Sequence, residues 1–248
     1  MKAMVLAAGV GSRLKPLTVN IPKALLDVRG APMIERVIRR LRSAGVTELV
    51  VNLFHLGERI EEFLASKGHF GLRIEFTREA DLLDTGGGLK NAAWFFDDGR
   101  PFFLHNVDVL SDIDLNELLR FHEKVGAMAT LAVQGRSSSR QLLFDSEGRL
   151  CGRESLEGVE WARGPRGGVE RLAFTGIHVI DPAIFPRMTE TGAFPITRTY
   201  LRLAGEGERI MAYRADGSYW QDVGSPEKLE EARKRAAGLP PDHSDRNL

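Results

Sequence analysis

Two glycines and two basic residues follow the first apolar run of the chain. Gly9 and Gly11 come shortly after Leu6, and Arg13 and Lys15 follow the second glycine closely. Glycines at the end of a strand let backbone N–H groups approach phosphate oxygens, and neighbouring cations stabilise the bound charge. The segment therefore indicates a phosphate-binding loop. It lacks the Gly-Lys-Ser/Thr ending of a Walker loop.

The same glycine segment could belong to a dinucleotide-binding turn or to a plain tight turn. Leu14 stands where a dinucleotide-binding fingerprint needs its third glycine, although Asp27 lies near the distance expected of a ribose-binding acid. A tight turn with solvated cations accounts equally well for the two glycines when they are taken alone. Lys23 favours a binding site over a plain turn. Pro22 before it fixes an extended backbone, which directs the lysine side chain towards a site.

A second glycine cluster lies between a predicted strand and a predicted helix. Gly86, Gly87 and Gly88 follow Glu79 and Thr85. Ordering three adjacent glycines costs about 1 kcal/mol each relative to alanine. A position that requires close backbone approach therefore accounts for them better than a plain linker does, and we interpret the segment as part of a binding site.

One aspartate lies where a ligand-binding carboxylate is expected. Asp108 follows the apolar residues 102–104, and open α/β sheets bind ligands beyond the carboxyl ends of such strands. Asp108 could instead cap the next helix, but Asp114 is among the residues better placed for that role.

Apolar runs rich in β-branched residues alternate with helical patterns over the first half of the chain. That alternation predicts βαβ units and a mainly parallel sheet. From residue 127 onward strands follow one another without long helices, and the pattern becomes α+β. The predicted strands are 2–7, 49–54, 72–76, 102–105, 129–133, 142–145, 172–180 and 209–213. The predicted helices include 58–66, 89–96, one with Pro32 in its first turn that ends at Gly45, and one that follows Ser225.

Two further segments have compositions of their own. Residues 148–168 carry many glycines and arginines without a clear period, which predicts a hairpin or a mobile flap. Residues 238–248 combine proline, aspartate, serine and asparagine, which is typical of a disordered tail. No hexapeptide repeat follows the main pattern. We therefore expect a single domain over residues 1–237.

The overall composition excludes several classes of protein. Lysine and arginine together number 34, as do aspartate and glutamate, so no net charge attracts nucleic acid or an anionic membrane. The single Cys151 cannot form an internal disulfide, which favours a reducing compartment. The N-terminal apolar run is too short for a signal peptide, and no stretch approaches the ~18 apolar residues of a membrane span. We expect a cytoplasmic protein.

The string LAAGVGSRLKPLT followed by PKAL resembles the signature of sugar-1-phosphate nucleotidyltransferases. It matches that signature at Gly9, Gly11, Arg13, Pro16, Leu17, Thr18, Pro22 and Lys23. The resemblance extends from residue 1 to about residue 229. It implies an α/β fold, a Rossmann-like α/β/α sandwich with a mixed, mainly parallel central sheet. It also implies an enzyme that transfers a nucleoside monophosphate from a nucleoside triphosphate to a sugar 1-phosphate and releases pyrophosphate.

The resemblance also assigns roles to individual residues. Arg13, Lys23, Asp108 and Asp222 would be catalytic. Lys23 would reach the reacting phosphates, Arg13 would support the leaving pyrophosphate, and the two aspartates would hold Mg²⁺. Asp222 lies in residues 220–226, which resemble the family's Trp-x-Asp-x-Gly-Thr-Pro segment. Magnesium usually takes only one or two protein carboxylates, so this pair would be sufficient. The nucleotide would be bound by Leu6, Ala7, Ala8, Gly9, Gly11, Ser12, Arg13, Glu79, Thr85, Gly86, Gly87, Gly88 and Asn106, with Glu79 and the glycine triplet at the base. The sugar would be bound by Thr175, Gly176 and Trp220.

The chain departs from the family pattern at two places. Val107 stands where the family has glycine next to the metal-binding aspartate, so the local backbone is in question. The Glu-Lys-Pro segment that binds the sugar phosphate in larger relatives is missing, and one of Arg153, Arg166 and Arg171 would replace it. A glycine inside a core strand accounts for Gly176 as well as a sugar contact does.

The triple-glycine segment is most similar to that of compact N-acetylmuramate 1-phosphate uridylyltransferases, which would use UTP. Guanylyltransferases acting on mannose or heptose 1-phosphate are the next expectation. A catalytically silent relative that binds sugar nucleotides is the main alternative, although Arg13, Lys23 and both aspartates are retained. A glycosyltransferase would more naturally carry Asp-x-Asp, but Asn106 stands at the first of those positions. We expect a monomer or a homodimer.

Overall fold

The computed structural model describes residues 1–235, and in that part the chain forms two compact units. The first unit contains residues 1–82, 105–112 and the described residues from 219 onward. The second unit contains residues 83–104 and 113–218. The single domain predicted for residues 1–237 stays a prediction, and the tail predicted at 238–248 lies outside the described residues.

Strands and α-helices alternate in the first half of the described chain, and strands predominate in the second. The strands are β1 (Lys2–Leu6), β2 (Glu48–Leu53), β3 (Arg73–Arg78), β4 (Phe102–Asn106), β5 (Val109–Ser111), β6 (Ala129–Gln134), β7 (Gln141–Asp145), β8 (Leu150–Ser155), β9 (Gly158–Trp161), β10 (Val169–Ile180), β11 (Ile210–Arg214) and β12 (Trp220–Asp222). The helices are α1 (Met33–Ser43), α2 (Gly57–Ser66), α3 (Asp84–Asn91), α4 (Leu115–Val125), α5 (Ile196–Gly205) and α6 (Pro226–Arg235).

The first unit contains a parallel ladder of β1, β2 and β3, with β2 in the middle. Every residue of β1 is buried, as expected for a parallel strand covered on both faces. Helix α1 begins after Pro32, where the missing N–H is not needed. It ends where predicted, because Gly45 adopts the left-handed conformation with φ of 85° that terminates many helices.

The C-terminal part of the first unit packs against its N-terminal part. Strand β12 pairs antiparallel with β5, with Asp222 opposite Val109. One buried apolar cluster contains residues from four separate segments of the chain: Leu14, Leu26, Val28, Met33, Leu110, Val223, Leu229 and Ala232. This cluster fixes the loop after β1 and the segment before α6 in one unit.

In the second unit, β10 pairs antiparallel with β7 through residues 169–172 and with β6 through residues 173–180. Strands β7, β8 and β9 form an antiparallel meander, so the hairpin predicted for residues 148–168 is confirmed. Strand β11 pairs parallel with β6. Among the described residues, no helix is both long and apolar enough to cross a membrane.

Two predictions of local structure were wrong. Helix α5 was missed, although Ile196, Tyr200 and Leu203 are buried on one face at helical spacing. The helix predicted at 89–96 begins instead at Asp84, so the glycine triplet lies inside α3.

Candidate active site

The chain turns sharply at Gly11 after leaving β1. Gly11 has a φ of 64°, and a Cβ there would lie 2.9 Å from Thr18 Cγ2 and 3.2 Å from Lys23 Cβ. The Thr18 hydroxyl also donates a hydrogen bond of 2.8 Å to the carbonyl oxygen of Gly11. Glycine is therefore required here by both backbone conformation and packing. The turn places the loop against the Cβ atom of Lys23.

Gly9 is not required by packing within the protein. It is exposed, its φ is not in the left-handed region, and a Cβ there would meet no atom of the described chain within 4 Å. The space beside its Cα is open to solvent and therefore to a ligand. Close approach of a phosphate group to the backbone would account for the missing side chain.

Gly9→Ala is expected to leave the melting temperature unchanged and to weaken nucleotide binding by about tenfold. A methyl group in the ligand's space would cost on the order of 1–3 kcal/mol. The measurements are thermal unfolding and nucleotide titration. Gly217→Ala is the matched control, because a Cβ there also meets no atom within 4 Å. Unchanged nucleotide affinity in Gly9→Ala would contradict close approach of the phosphates at this loop.

Lys23 and Asp108 form an ion pair, although they are 85 positions apart in the sequence. The Lys23 ammonium donates to Asp108 Oδ2, and the two side chains are only 12% and 25% exposed. Lys23 opens a short 3₁₀ turn that follows Pro22. The predicted approach of Lys23 to a polar site is consistent with this pairing.

Asp222 lies on the strand that runs beside Asp108. The Val223 N–H donates to the Asp108 carbonyl oxygen at 2.8 Å, and the Asp222 carboxylate forms an ion pair with the Lys228 ammonium. Sequence analysis missed Lys228, which lies in the first turn of α6. The structure thus brings the two predicted metal-binding aspartates onto adjacent backbone segments.

Gly224 leaves space in which Arg13 and Asp222 lie close together. A Cβ on Gly224 would lie 2.7 Å from Asp222 Oδ1 and 3.0 Å from Arg13 Nη2. The absence of a side chain therefore lets the Arg13 guanidinium and the Asp222 carboxylate approach the same Cα. Arg13, Lys23, Asp108 and Asp222 all lie in the first unit.

The two aspartates fit a magnesium ion that also binds a ligand. Within residues 1–235 no group of three or more histidine, cysteine, aspartate or glutamate side chains could enclose a metal. Mg²⁺ prefers oxygen ligands and commonly takes one or two carboxylates, completing its shell with water and phosphate oxygens. Asp108 and Asp222 supply that minimum.

The backbone beside Asp108 accommodates a valine. Val107 is buried, its φ is not positive, and its N–H donates to the Leu6 carbonyl oxygen at 3.1 Å. The departure from glycine therefore causes no backbone conflict.

His105 Nδ1 lies 2.8 Å from the carbonyl oxygen of Asn106, and burial lowers the pKa of His105 to about 4. The ring is neutral at pH 7.

Glu79 is buried and is connected to the loop after β1 through Asn52. Its Oε1 accepts a 2.7 Å hydrogen bond from Asn52 Nδ2, and Asn52 Oδ1 accepts a 2.8 Å bond from the Ala7 N–H. Asn52 was missed by sequence analysis, although an amide at the end of the buried strand β2 was an available signal. Contact between Glu79 and a nucleobase stays a prediction.

The glycine triplet in the second unit packs against its own chain. A Cβ on Gly86 would lie 2.5 Å from Phe194 Cδ2, and one on Gly87 would lie 2.7 Å from the Gly192 carbonyl oxygen. The Thr85 hydroxyl accepts a hydrogen bond of 2.9 Å from the Ile196 N–H. Close backbone approach is therefore real at two of the three glycines. Its described partner is the segment before α5, so these contacts need no nucleotide.

The residues predicted to bind the sugar have partners within the protein. The Thr175 hydroxyl is buried and donates to the Ala132 carbonyl oxygen at 2.8 Å. Gly176 has a φ of 80° inside β10, where the register with β6 is interrupted. These features favour a structural role for both residues. Trp220 lies half-buried on β12 in the first unit.

Each arginine considered for the sugar phosphate pairs with a glutamate. Their nearest N–O distances are 2.6 Å for Arg153 with Glu160, 3.4 Å for Arg166 with Glu147, and 2.7 Å for Arg171 with Glu154. These pairs do not single out one arginine.

The chain is similar to known proteins over most of its length. Residues 2–142 match the nucleotidyl transferase family model. The chain is 34% identical over 237 residues to N-acetylmuramate alpha-1-phosphate uridylyltransferase of Neisseria meningitidis, covering 95% of this chain and 98% of that relative. It is 32% identical over 232 residues to mannose-1-phosphate guanyltransferase of Gibberella zeae, covering 91% of this chain but 61% of that relative.

Solved structures resemble this fold at lower sequence identity. UDP-glucose pyrophosphorylase complexed with UDP-glucose gives a TM-score of 0.77 at 20% identity, covering 95% of this chain and 98% of that chain. HddC from Yersinia pseudotuberculosis complexed with GMP-PN gives a TM-score of 0.71 at 20% identity, covering 95% and 99%. The predicted α/β class with a mixed, mainly parallel central sheet is confirmed.

Proposed function

We propose substrates for this chain, which belongs to the nucleotidyl transferase family and is a sugar-1-phosphate nucleotidyltransferase. The preferred pair is UTP with N-acetylmuramate 1-phosphate, and the second is GTP with mannose or heptose 1-phosphate. The observation that carries the proposal is the ion pair of Lys23 with Asp108, next to the strand that contains Asp222, in the unit that contains the glycine loop.

In the proposed reaction an oxygen of the sugar phosphate attacks the α-phosphorus of the nucleotide. The bond to the β-phosphate oxygen breaks, and pyrophosphate leaves with that electron pair. Such transfers depend on positioning and charge neutralisation and need no covalent intermediate with the protein. The glycine loop would bind the triphosphate through backbone N–H groups. Lys23 and Arg13 would neutralise its charge.

Asp108 and Asp222 would hold Mg²⁺. When bound, that ion would reduce the negative charge on the reacting phosphates. The ion pairs with Lys23 and Lys228 would orient both carboxylates until substrates arrive. Lys23 would then be free to exchange its carboxylate partner for a phosphate oxygen, which is an equally suitable acceptor for an ammonium group.

Sequence identity supports the order of the proposed substrates. The chain is 34% identical to the uridylyltransferase from Neisseria meningitidis and 32% identical to the guanyltransferase from Gibberella zeae.

The deciding experiment measures pyrophosphate release in the presence of magnesium. UTP, GTP, CTP, dTTP and ATP are each combined with N-acetylmuramate, mannose, heptose and glucose 1-phosphates. We expect the highest kcat/KM with UTP and N-acetylmuramate 1-phosphate. A clear preference for another pair would reassign the substrates. Nucleotide binding without release from any pair would instead support a catalytically silent binding protein.

The proposal includes a cytoplasmic location and a monomer or homodimer that binds neither nucleic acid nor membrane. A single buried cysteine and equal numbers of acidic and basic residues support this part.

A further inference from the structure

One peptide group at the end of β1 is held from both sides. The Leu6 carbonyl oxygen accepts from the Val107 N–H at 3.1 Å, and the Ala7 N–H donates to Asn52 Oδ1 at 2.8 Å. The Leu6 carbonyl and the Ala7 N–H belong to the same planar peptide unit. Two hydrogen bonds in opposite directions therefore fix the plane from which the chain enters the glycine loop.

The bond from Asn52 takes the place of the next strand contact. The parallel ladder between β1 and β2 ends with Leu6 opposite Asn52. Beyond this pair the backbone of β1 turns away into the loop, so the Ala7 N–H needs another acceptor. A buried N–H without an acceptor is destabilising, because the hydrogen bond that it makes to water in the unfolded chain is not replaced. The Asn52 side chain supplies the acceptor.

Glu79 determines which way the Asn52 amide points. The amide nitrogen of Asn52 donates to Glu79 Oε1 at 2.7 Å, and Asn52 and Glu79 are only 3% and 8% exposed. A flipped amide would place its oxygen against the carboxylate and its NH₂ group against the Ala7 N–H. Both contacts would be repulsive, so the buried carboxylate selects the orientation in which Oδ1 faces the loop. The Glu79 N–H is itself held by the Leu53 carbonyl oxygen at 2.9 Å.

We propose that Asn52 is a positioning residue for the nucleotide loop and that Glu79 fixes its orientation. This inference rests on the proposed function, in which residues 6–12 hold the triphosphate. The same peptide group is held on its other side by Val107, which precedes Asp108. The loop and the metal-binding segment are therefore positioned against one shared group.

The test exchanges the polarity of the Asn52–Glu79 hydrogen bond. Asn52→Asp places two carboxylates against each other. The double variant Asn52→Asp with Glu79→Gln restores one donor and one acceptor of almost the same shape. Binding of methylanthraniloyl-UTP and methylanthraniloyl-GTP is measured by fluorescence, and KM for each substrate and kcat are measured separately.

We expect Asn52→Asp to weaken nucleotide binding by at least ~10-fold and to raise KM for the nucleotide more than KM for the sugar phosphate. The double variant should recover at least tenfold of the lost affinity. A double variant as weak as Asn52→Asp, or an Asn52→Asp protein with wild-type affinity, would overturn the inference. A wild type that binds nucleotide without releasing pyrophosphate would count against the proposed reaction alone.

Hydrogen exchange provides a readout that needs neither substrate nor a fully stable variant. In Asn52→Asp the amides of residues 7–11 should exchange at least ~10-fold faster, while those of β3 remain as in the wild type. The double variant should return the loop amides toward wild-type rates. Unchanged exchange in residues 7–11, or equally faster exchange throughout the first unit, would show that Asn52 does not position this loop.

Discussion

Asp108→Asn is expected to fold like the wild type and to lower turnover by at least ~10²-fold, the size of effect seen when one electrostatic stabiliser is removed. Asparagine keeps an oxygen that can accept from Lys23, which is only 12% exposed at its side chain. The substitution therefore removes the negative charge without leaving the ammonium group unpaired. Pyrophosphate release with magnesium measures the loss.

A second readout separates loss of the metal from general damage. Mn²⁺ binding in the presence of nucleotide, followed by electron paramagnetic resonance, should weaken at least ~10-fold in Asp108→Asn because one of the two proposed carboxylate ligands is gone. Asp98→Asn is the matched control, since Asp98 lies in an exposed turn where it accepts from the Arg100 N–H. Near-native turnover and metal affinity in Asp108→Asn would remove this residue from the mechanism.

Gly86→Ala is expected to lower the free energy of unfolding by about 1–3 kcal/mol, the usual cost of overpacking. The new Cβ would lie 2.9 Å from the Phe194 carbonyl oxygen and 2.5 Å from Cδ2 of its ring. That carbonyl also accepts a 2.9 Å hydrogen bond from the Gly86 N–H, so the backbone cannot move away without losing it. Urea unfolding monitored by circular dichroism measures the change.

The sign of this change is informative because helix propensity acts in the opposite direction. Alanine inside a helix is favoured over glycine by about 0.5–1 kcal/mol. If α3 were not packed tightly at Gly86, the substitution would stabilise the protein. Gly168→Ala is the control, because an added Cβ there meets no atom within 4 Å. A Gly86→Ala protein that is more stable than the wild type would contradict the close packing against Phe194.

Element type was predictable where the sequence has a strong local period. Strands β1 and β2 were predicted within one residue of their observed ends, because runs of β-branched and apolar residues distinguish buried strands. Helix α3 was misplaced because glycine has a poor helix propensity, and tertiary packing against residues 192–194 overrides it.

Within the candidate site, the sequence predicted single residues better than their partners. Lys23, Asp108 and Asp222 were identified from residue type and from the motifs around them. Asn52 was missed because its partner Ala7 is 45 positions away in the sequence, and Lys228 was missed because it lies beyond the motif around Asp222. The predicted roles of Thr175 and Gly176 at a sugar stay predictions, although the hydroxyl of the first and the backbone conformation of the second already serve the fold.

The sequence by itself determined the loop after β1 and the carboxylates available for a metal. A glycine that must adopt positive φ, a proline that fixes φ and a strand's apolar run are local properties, so they can be read directly from the chain. Only the tertiary structure decided that Lys23 meets Asp108 and that Asn52 holds the Ala7 N–H. Those contacts depend on strand register and on packing between distant segments, and no local conformational preference encodes which distant side chain will arrive.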